Sequence, residues 1–304
     1  MSSLRRYAVF DLIIASELEL PELFTSEDSE ADVSVRYGRV LPLGPNATDE
    51  VEQWRDGITL DVPGTARFHV RSGREIIVHP LNGASDRNVR VFLLGSAFGI
   101  LLHQRRLLPL HANAVEIEGK AFAFLGESGA GKSTLAAWFH DRGERVIADD
   151  VCVIRMQNGC RAMALPGLPR FRLWREALER SGRSASDQML SFEGKPDYPK
   201  YDVAVKSVNS AQQPLELKAM FLLAKGKKFK VIQRNGLDAA EAVFANTYRG
   251  AYINAIGVSK QHFASCLTLI GEVPLFQVSR TWGLERFEAE AEELEDFARR
   301  LIEG

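Results

Sequence analysis

Eight consecutive residues, Gly126-Glu127-Ser128-Gly129-Ala130-Gly131-Lys132-Ser133, satisfy the phosphate-loop pattern G-x-x-x-x-G-K-S/T at every fixed position. In such a loop the glycines let backbone N–H groups converge on a phosphate, and the helix that follows adds its positive N-terminal dipole. Lys132 is the residue type that reaches β- and γ-phosphates. The hydroxyl of Ser133 stands where Mg²⁺ is bound, and Thr134 extends the contact set. Downstream, Asp149 and Asp150 interrupt an apolar run, Val146 to Ala148 before them and Val151 to Ile154 after. Two carboxylates in such a run are costly unless a cation or hydrogen-bond donors meet them, and a Mg²⁺–nucleotide complex supplies both. The competing readings are a chance glycine-rich turn for the loop and an exposed turn for the acids. Neighbours on a strand face opposite sides, so the strand is expected to end or bend at the pair and deliver it to the mouth of the loop.

The elements that must carry these residues are legible around them. Lys120 to Leu125 is apolar and β-compatible, and Thr134 to Phe139 has helical spacing, the strand–loop–helix context that the motif requires. A hairpin through Glu118-Gly119 feeds that strand from Leu107 to Val115, a short strand on which His111 lies. Before it, Val89 to His103 has the length and composition of a buried linking helix ending near Arg105-Arg106. Asp141-Arg142-Gly143 closes the loop helix, and Glu144 to Ile154 reads as a buried strand.

Residues 7–15, 32–37 and 57–62 read as strands, and 66–71 with 75–79 as a hairpin across Ser72-Gly73. An antiparallel β-rich N-terminal domain, 1–85, is therefore expected ahead of an α/β domain, 86–304. His69 and His79 read as ordinary strand histidines. Arg170, Arg172 and Arg175 suit phosphates or an acidic peptide, or equally a solvated helix start. Residues 181–214 read as a long loop, where substrate segments are often found, with Lys200 and Lys206 as candidates beside the simpler reading of surface lysine. Residues 217–224 and 229–233 read as strands paired around Gly226. Helices over 238–252 and 260–270, a strand over 273–279 and an acidic amphipathic helix from Leu284 to Glu303 complete the chain.

Composition narrows the function classes. The 304 residues are 45% apolar and 26% charged, the balance of an ordinary globular protein. A formal charge of −2 provides no basic field, so nucleic acid is not expected as a partner. The three cysteines, Cys152, Cys160 and Cys266, lack the spacing of a disulfide framework or a zinc site and point to a reducing, cytoplasmic setting. The longest membrane-helix candidate, Val91 to Leu102, falls far short of the ~20 residues a span needs, so no membrane is expected. A homo-oligomer remains open.

His111, the loop ending at Lys132-Ser133, and Arg142-Gly143 followed by Ala148-Asp149-Asp150 resemble the core of bacterial HPr kinase/phosphorylase. The spacing agrees: Lys132 follows His111 by 21 positions and Asp150 follows Lys132 by 18. The match is specific from about residue 107 to 155 and thin elsewhere. The opening, from Tyr7 to Leu23, and the helix before Leu110-His111 are more similar to HPr-kinase-related proteins of peptide-modification operons, including lasso-peptide precursor kinases. The resemblance implies an α/β P-loop kinase domain of the HPr kinase/PEP carboxykinase-like type with a mixed sheet. It implies ATP on residues 126–134, Mg²⁺ between Ser133 and Asp149, Asp150 as general base for an attacking serine hydroxyl, and His111 in the active site. Its Glu-x-Arg-Gly segment, which carries a second metal-ligand carboxylate, is absent; Leu165 to Glu176 stands in its place, with Glu176 as a candidate.

Three readings follow. One is a kinase of a serine on a protein or peptide, in particular the C-terminal serine of a ribosomal precursor peptide. The second is an ATP-hydrolysing switch that binds a partner, and the third a small-molecule kinase such as one acting on free serine. An ABC-type ATPase is disfavoured, because no Leu-Ser-Gly-Gly-Gln signature follows the loop.

Overall fold

The computed structural model describes residues 4–44, 47, 50–158, 160–193, 200–205, 210–281 and 285–303. Its N-terminal part is one sheet of β1 (Arg5–Val9), β2 (Leu12–Ser16), β3 (Phe24–Thr25), β4 (Val33–Tyr37), β5 (Val51–Trp54), β6 (Gly57–Val62), β7 (Ala66–Arg71) and β8 (Glu75–Pro80), in the order β3-β1-β2-β4-β8-β7-β6-β5. The run 7–15 is two strands rather than one. Phe10 and Asp11 both take left-handed backbone, at φ 55° and 58°, the geometry of the tight hairpin turns that match strand twist. The antiparallel expectation also fails at two pairings, since β4 lies parallel to both β2 and β8. Ser72-Gly73 does turn the β7–β8 hairpin.

The linking helix is interrupted: α1 (Asp86–Phe92), a π-helical turn over Leu93–Ala97, and α2 (Phe98–Gln104). Ser85 caps it, its hydroxyl accepting from Asn88 N. The irregular turn faces Tyr248, whose hydroxyl would lie 3.1 Å from a Cβ at Gly95, and whose ring edge would lie 3.3 Å from one at Gly99. The helix buries Leu93, Phe98 and Leu101 in the same core as the N-terminal sheet, together with Tyr248 and Tyr252. We propose the division at 85/86 as a boundary in chain order only, because this core spans it.

The second part is built on β9 (Leu108–Leu110), β10 (Ala112–Ile117), β11 (Lys120–Leu125), α3 (Lys132–Asp141), β12 (Arg145–Ala148), β13 (Cys152–Gln157), β14 (Arg161–Leu165), β15 (Arg170–Trp174), α4 (Arg175–Arg180), β16 (Met189–Leu190), β17 (Lys200–Ala204), β18 (Leu215–Lys225), β19 (Lys230–Arg234), α5 (Gly236–Ala245), α6 (Ile253–Ile256), α7 (Ser259–Glu272), β20 (Leu275–Arg280) and α8 (Phe287–Glu303). The main sheet runs β12-β10-β11-β18-β14-β13-β9, with β20 beside β18 and β19 beyond it. It is mixed: β18 is parallel to β11 and β20, while the remaining pairs are antiparallel. One face packs on α3 and α8, the other on α5 and α7.

Four expectations change here. β19 does not pair with β18; β20 lies between them, because Leu275, Phe276 and Val278 are buried while Ile232 of β19 stays 42% exposed, as suits an edge. The stretch 107–115 is two strands, β9 and β10, with different partners, and His111 sits in the break. The loop expected over 181–214 contains β16 and β17, which join β15 in a small sheet. The helix expected over 238–252 ends at Ala245. Leu284, Lys206 and residues 194–199 of the expected loop lie outside the described residues. Among the described residues no helix is long and apolar enough to cross a membrane.

A buried histidine pair beneath the site gives a stability test. His262 packs edge-on to His103 and shares a 2.7 Å hydrogen bond with Thr247 Oγ1. Burial, and then the His103 ring, push its pKa down to about 4. The unfolded histidine titrates near 6.5, so the stability is complete above that pH. It falls as the pH drops from about 6.5 to 4, by on the order of 3 kcal/mol. Denaturant midpoints measured at pH 7, 5.5 and 4 are expected to converge between wild type and His262→Gln at the acid end relative to neutral pH. Parallel curves would show that His262 does not carry this titration.

Candidate active site

The sheet delivers the loop and the acids to one place. β11 ends at Leu125, residues 126–131 turn, and α3 starts at Lys132. Gly126 has φ 138°, and a Cβ there would meet Leu223 O at 2.8 Å. Gly131 has φ 85°, and a Cβ there would run into the Arg280 guanidinium. Only glycine fits at either position. Arg280, at the end of β20, donates to Ala130 O at 3.1 Å and so supports the loop from below. Asn246 supports it from the side: its Oδ1 accepts from Gly126 N at 3.0 Å, while its main-chain O accepts from His111 N at 2.7 Å. One residue thus ties the loop to His111.

Lys132 is buried, with Nζ donating to Gly126 O at 2.6 Å and Glu127 O at 3.1 Å. Burial lowers its pKa to about 8 against the opposing pull of Asp150. It is therefore still the charged form that dominates at neutral pH.

β12 stops at Ala148 and β13 begins at Cys152, so the strand does break at the acid pair. Asp150 takes left-handed backbone at φ 73°. Asp149 accepts from Asn113 Nδ2, from Arg172 N at 2.6 Å, and from the Ser133 hydroxyl. Asp150 has His111 Nδ1 3.2 Å from Oδ1 and Arg172 Nη1 3.2 Å from Oδ2. These partners separate the two acids. Burial, and then the charge of Asp150, raise Asp149 to about 6. Burial also works to raise Asp150, but His111 and Arg172 outweigh it and hold this carboxyl far below the ordinary range. Adjacent carboxylates pushed apart in this way are suited to different roles: Asp150 is ionised at every physiological pH, and Asp149, raised to about 6, is mostly ionised at neutral pH and takes a proton as the pH falls below that.

Next to Asp150 lies a half-buried charge network. Asp202 of β17 meets Arg87 Nη2 at 3.2 Å, Arg170 Nη1 at 3.1 Å and Arg172 Nε at 3.3 Å, and accepts from Ser191 Oγ at 2.7 Å. Arg170 and Arg172 are thus half-buried and ion-paired on a strand, not solvated at a helix start. The alternation Lys200-Tyr201-Asp202-Val203 puts Asp202 and the two arginines on one side of the small sheet.

His111, Lys132, Ser133, Thr134 and Asp150 line one cleft of about 350 Å³, together with Ser128, Gly129, Ala130 and Gly131. Glu176 and Lys200 line it too; no contact joins Glu176 to Asp149 among the described residues. Arg175 instead bonds Tyr201 OH. A second, larger cleft of about 1000 Å³ adjoins the first and shares His111, Ala130 and Asp150 with it. Gly126 and Glu127 of the loop face this second cleft.

Several residues of the site escape a reading by motif. Asn113 left one signal, a lone amide in the apolar run Ala112 to Val115. Asp202, Asn246 and Arg280 left none, since each acts through a partner distant in sequence.

The donors fit a nucleotide and its cation. Gly126 and Gly131 leave no room for a side chain, and two buried polar atoms on the same cleft, Asn113 Oδ1 and Arg280 Nε, have no partner among the described residues. Ser133 and Asp149 offer hard oxygen ligands, and no cluster of three or more His, Cys, Asp or Glu stands ready for a metal among the described residues. This is the ligand set of Mg²⁺, which takes one or two protein ligands and completes its shell with water and phosphate.

Asn246→Ala should disconnect the loop from His111. Losing a buried acceptor costs roughly 1–3 kcal/mol, so nucleotide affinity is expected to fall about 5- to 100-fold. Titration with a fluorescent ATP analogue checks this, and an unchanged Kd would show that the Asn246 bond does not hold the loop.

No family model matches the chain, and no curated protein does. Among solved structures it matches the HPr(Ser) kinase/phosphatase from Coxiella burnetii at 16% identity, covering 64% of this chain and 99% of that one, with a TM-score of 0.36. A likeness of that size assigns neither a family nor an activity.

Proposed function

We propose that this protein is an ATP- and Mg²⁺-dependent kinase that phosphorylates a serine hydroxyl on a peptide or protein, of which a ribosomal precursor peptide of the lasso type is the narrower candidate. The observation that carries the reading is the position of Asp150: an ionised carboxylate at the junction of two clefts, one walled by the phosphate loop and the other open for an acceptor. Phosphoryl transfer needs positioning, charge neutralisation and an acceptor for the hydroxyl proton, with little covalent work by the protein.

Each requirement has a residue. The amides of 126–134 and Lys132 hold the phosphates, and Ser133 with Asp149 holds the cation, which neutralises phosphate charge when bound. Asp150 takes the hydroxyl proton as the serine oxygen bonds to phosphorus and the bond to the ADP oxygen breaks. His111 and Arg172 fix the carboxylate for that task, and the Asp202 network fixes Arg172. The test is mass spectrometry of serine-bearing peptides, including those encoded beside the gene, after incubation with ATP and Mg²⁺. A mass gain of one phosphoryl group on serine supports the reading. ADP and free phosphate alone would favour an ATP-driven switch, and a phosphorylated free serine a small-molecule kinase.

A further inference from the structure

The large cleft has one feature that the transfer chemistry does not use. Around Asp150 the arginines have carboxylate partners: Arg172, Arg170 and Arg87 converge on Asp202, Arg172 also meets Asp150, and Arg90 pairs with Glu22 at 2.8 Å. Arg249 lines the same cleft and has no carboxylate within ion-pair distance among the described residues. Its guanidinium lies over two tyrosine rings, 5.5 Å from the centroid of Tyr248 and 6.0 Å from that of Tyr252. Those rings hold the guanidinium in the cleft, and a hydrogen bond to Tyr248 engages part of its N–H fork.

The backbone gives a second, independent observation. Arg249 is left-handed, at φ 55° and ψ 36°, a conformation that costs a side-chain-bearing residue roughly 1–2 kcal/mol. It is imposed from both sides. Tyr248 N bonds Pro109 O at 2.9 Å, Thr247 Oγ1 donates to Phe244 O at 2.7 Å, and Tyr252 N bonds Arg249 O at 2.9 Å. Strain of this kind persists where the surroundings over-determine it, and it concentrates at ligand clamps.

We propose that the large cleft receives the acceptor and that Arg249 selects it by pairing with a carboxylate of the acceptor peptide. This rests on the kinase reading above for the identity of the reacting hydroxyl, but not for the charge preference. A planar fork with five N–H donors, of which Tyr248 engages only part, suits the two oxygens of a carboxylate. The carboxylate has two sources in a peptide, an acidic side chain or the chain terminus.

The experiment uses the full chain and four pools of serine-centred heptapeptides: aspartate-bearing or asparagine-bearing, each with a free or an amidated C-terminus. Anisotropy of labelled pools with a non-hydrolysable ATP analogue and Mg²⁺ gives Kd, and mass spectrometry with ATP gives kcat and KM. The expected result is that carboxylate-bearing pools bind about tenfold more tightly than the asparagine-amide pool. The arm that carries the gain shows which carboxylate is read. The preference should vanish in Arg249→Gln, survive in part in Arg249→Lys, and reverse toward a lysine-bearing pool in Arg249→Glu. Circular dichroism and the Tm of each variant identify any that do not fold, and the Lys and Glu variants then carry the comparison. Equal Kd for all four wild-type pools, no binding by any pool, or a preference kept in Arg249→Gln would each overturn the proposal. Phosphorylation without charge preference would leave the kinase reading standing, whereas charge preference without phosphorylation would do the opposite.

Discussion

Replacing Asp150 by asparagine is expected to lower phosphoryl transfer by about 10²- to 10⁴-fold while leaving Mg²⁺-ATP affinity within a few-fold of wild type. The amide has the shape of the carboxylate but cannot take a proton from an attacking hydroxyl. The change also removes a charge that His111 and Arg172 both face. Arg172 then keeps only Asp202, which it shares with Arg87 and Arg170, so a Tm measured in parallel separates any loss of stability from the loss of transfer. Asp149 is raised in part by the charge of Asp150, so the variant should hold its proton less tightly and retain its oxygens for a cation. Single-turnover transfer to a peptide acceptor, with ATP binding measured in parallel, separates the two effects. Undiminished transfer by Asp150→Asn would remove Asp150 from the role of base.

Lys132→Ala should weaken both steps. Its ammonium bridges Gly126 O and Glu127 O, so truncation leaves two loop carbonyls without that donor and removes a cation from the phosphate loop. A charge-assisted hydrogen bond is worth roughly 1.5–3 kcal/mol, which corresponds to a loss of about 10- to 100-fold in nucleotide affinity, with transfer falling further. Lys132→Arg should not rescue it, because Lys132 is only 6% exposed and a planar fork does not fit where a compact ammonium sits. Titration of both variants with a fluorescent ATP analogue checks this. Wild-type affinity in Lys132→Ala would mean that the loop does not hold phosphate through this residue.

The parts of the site that the chain announces are those set by short-range chemistry. Glycines at 126, 129 and 131 and the tight turns at Ser72-Gly73 and Glu118-Gly119 are local conformational requirements, all at positive φ. Two acids inside an apolar run likewise had to end a strand. What stayed hidden depends on pairing between distant segments. β19 and β18 are neighbours in sequence, yet β20 comes between them, because burial on both faces, not proximity along the chain, decides which strand is central. Arg172 read equally as a phosphate or peptide contact and as solvated charge, because nothing near it in sequence showed Asp202 and Asp150 as its partners. His111 read as a strand residue because the apolar run 107–115 does not show that its halves pair with different partners.

The fate of the γ-phosphoryl group tests the central claim most directly. With γ-labelled ATP, Mg²⁺ and the serine peptide pools, wild type should move label into a serine phosphoester faster than into free phosphate, and Asp150→Asn should lose that transfer while still binding the nucleotide. Label appearing only as free phosphate, at the same rate with and without peptides and in both proteins, would contradict the assignment of Asp150 as the base of a serine kinase.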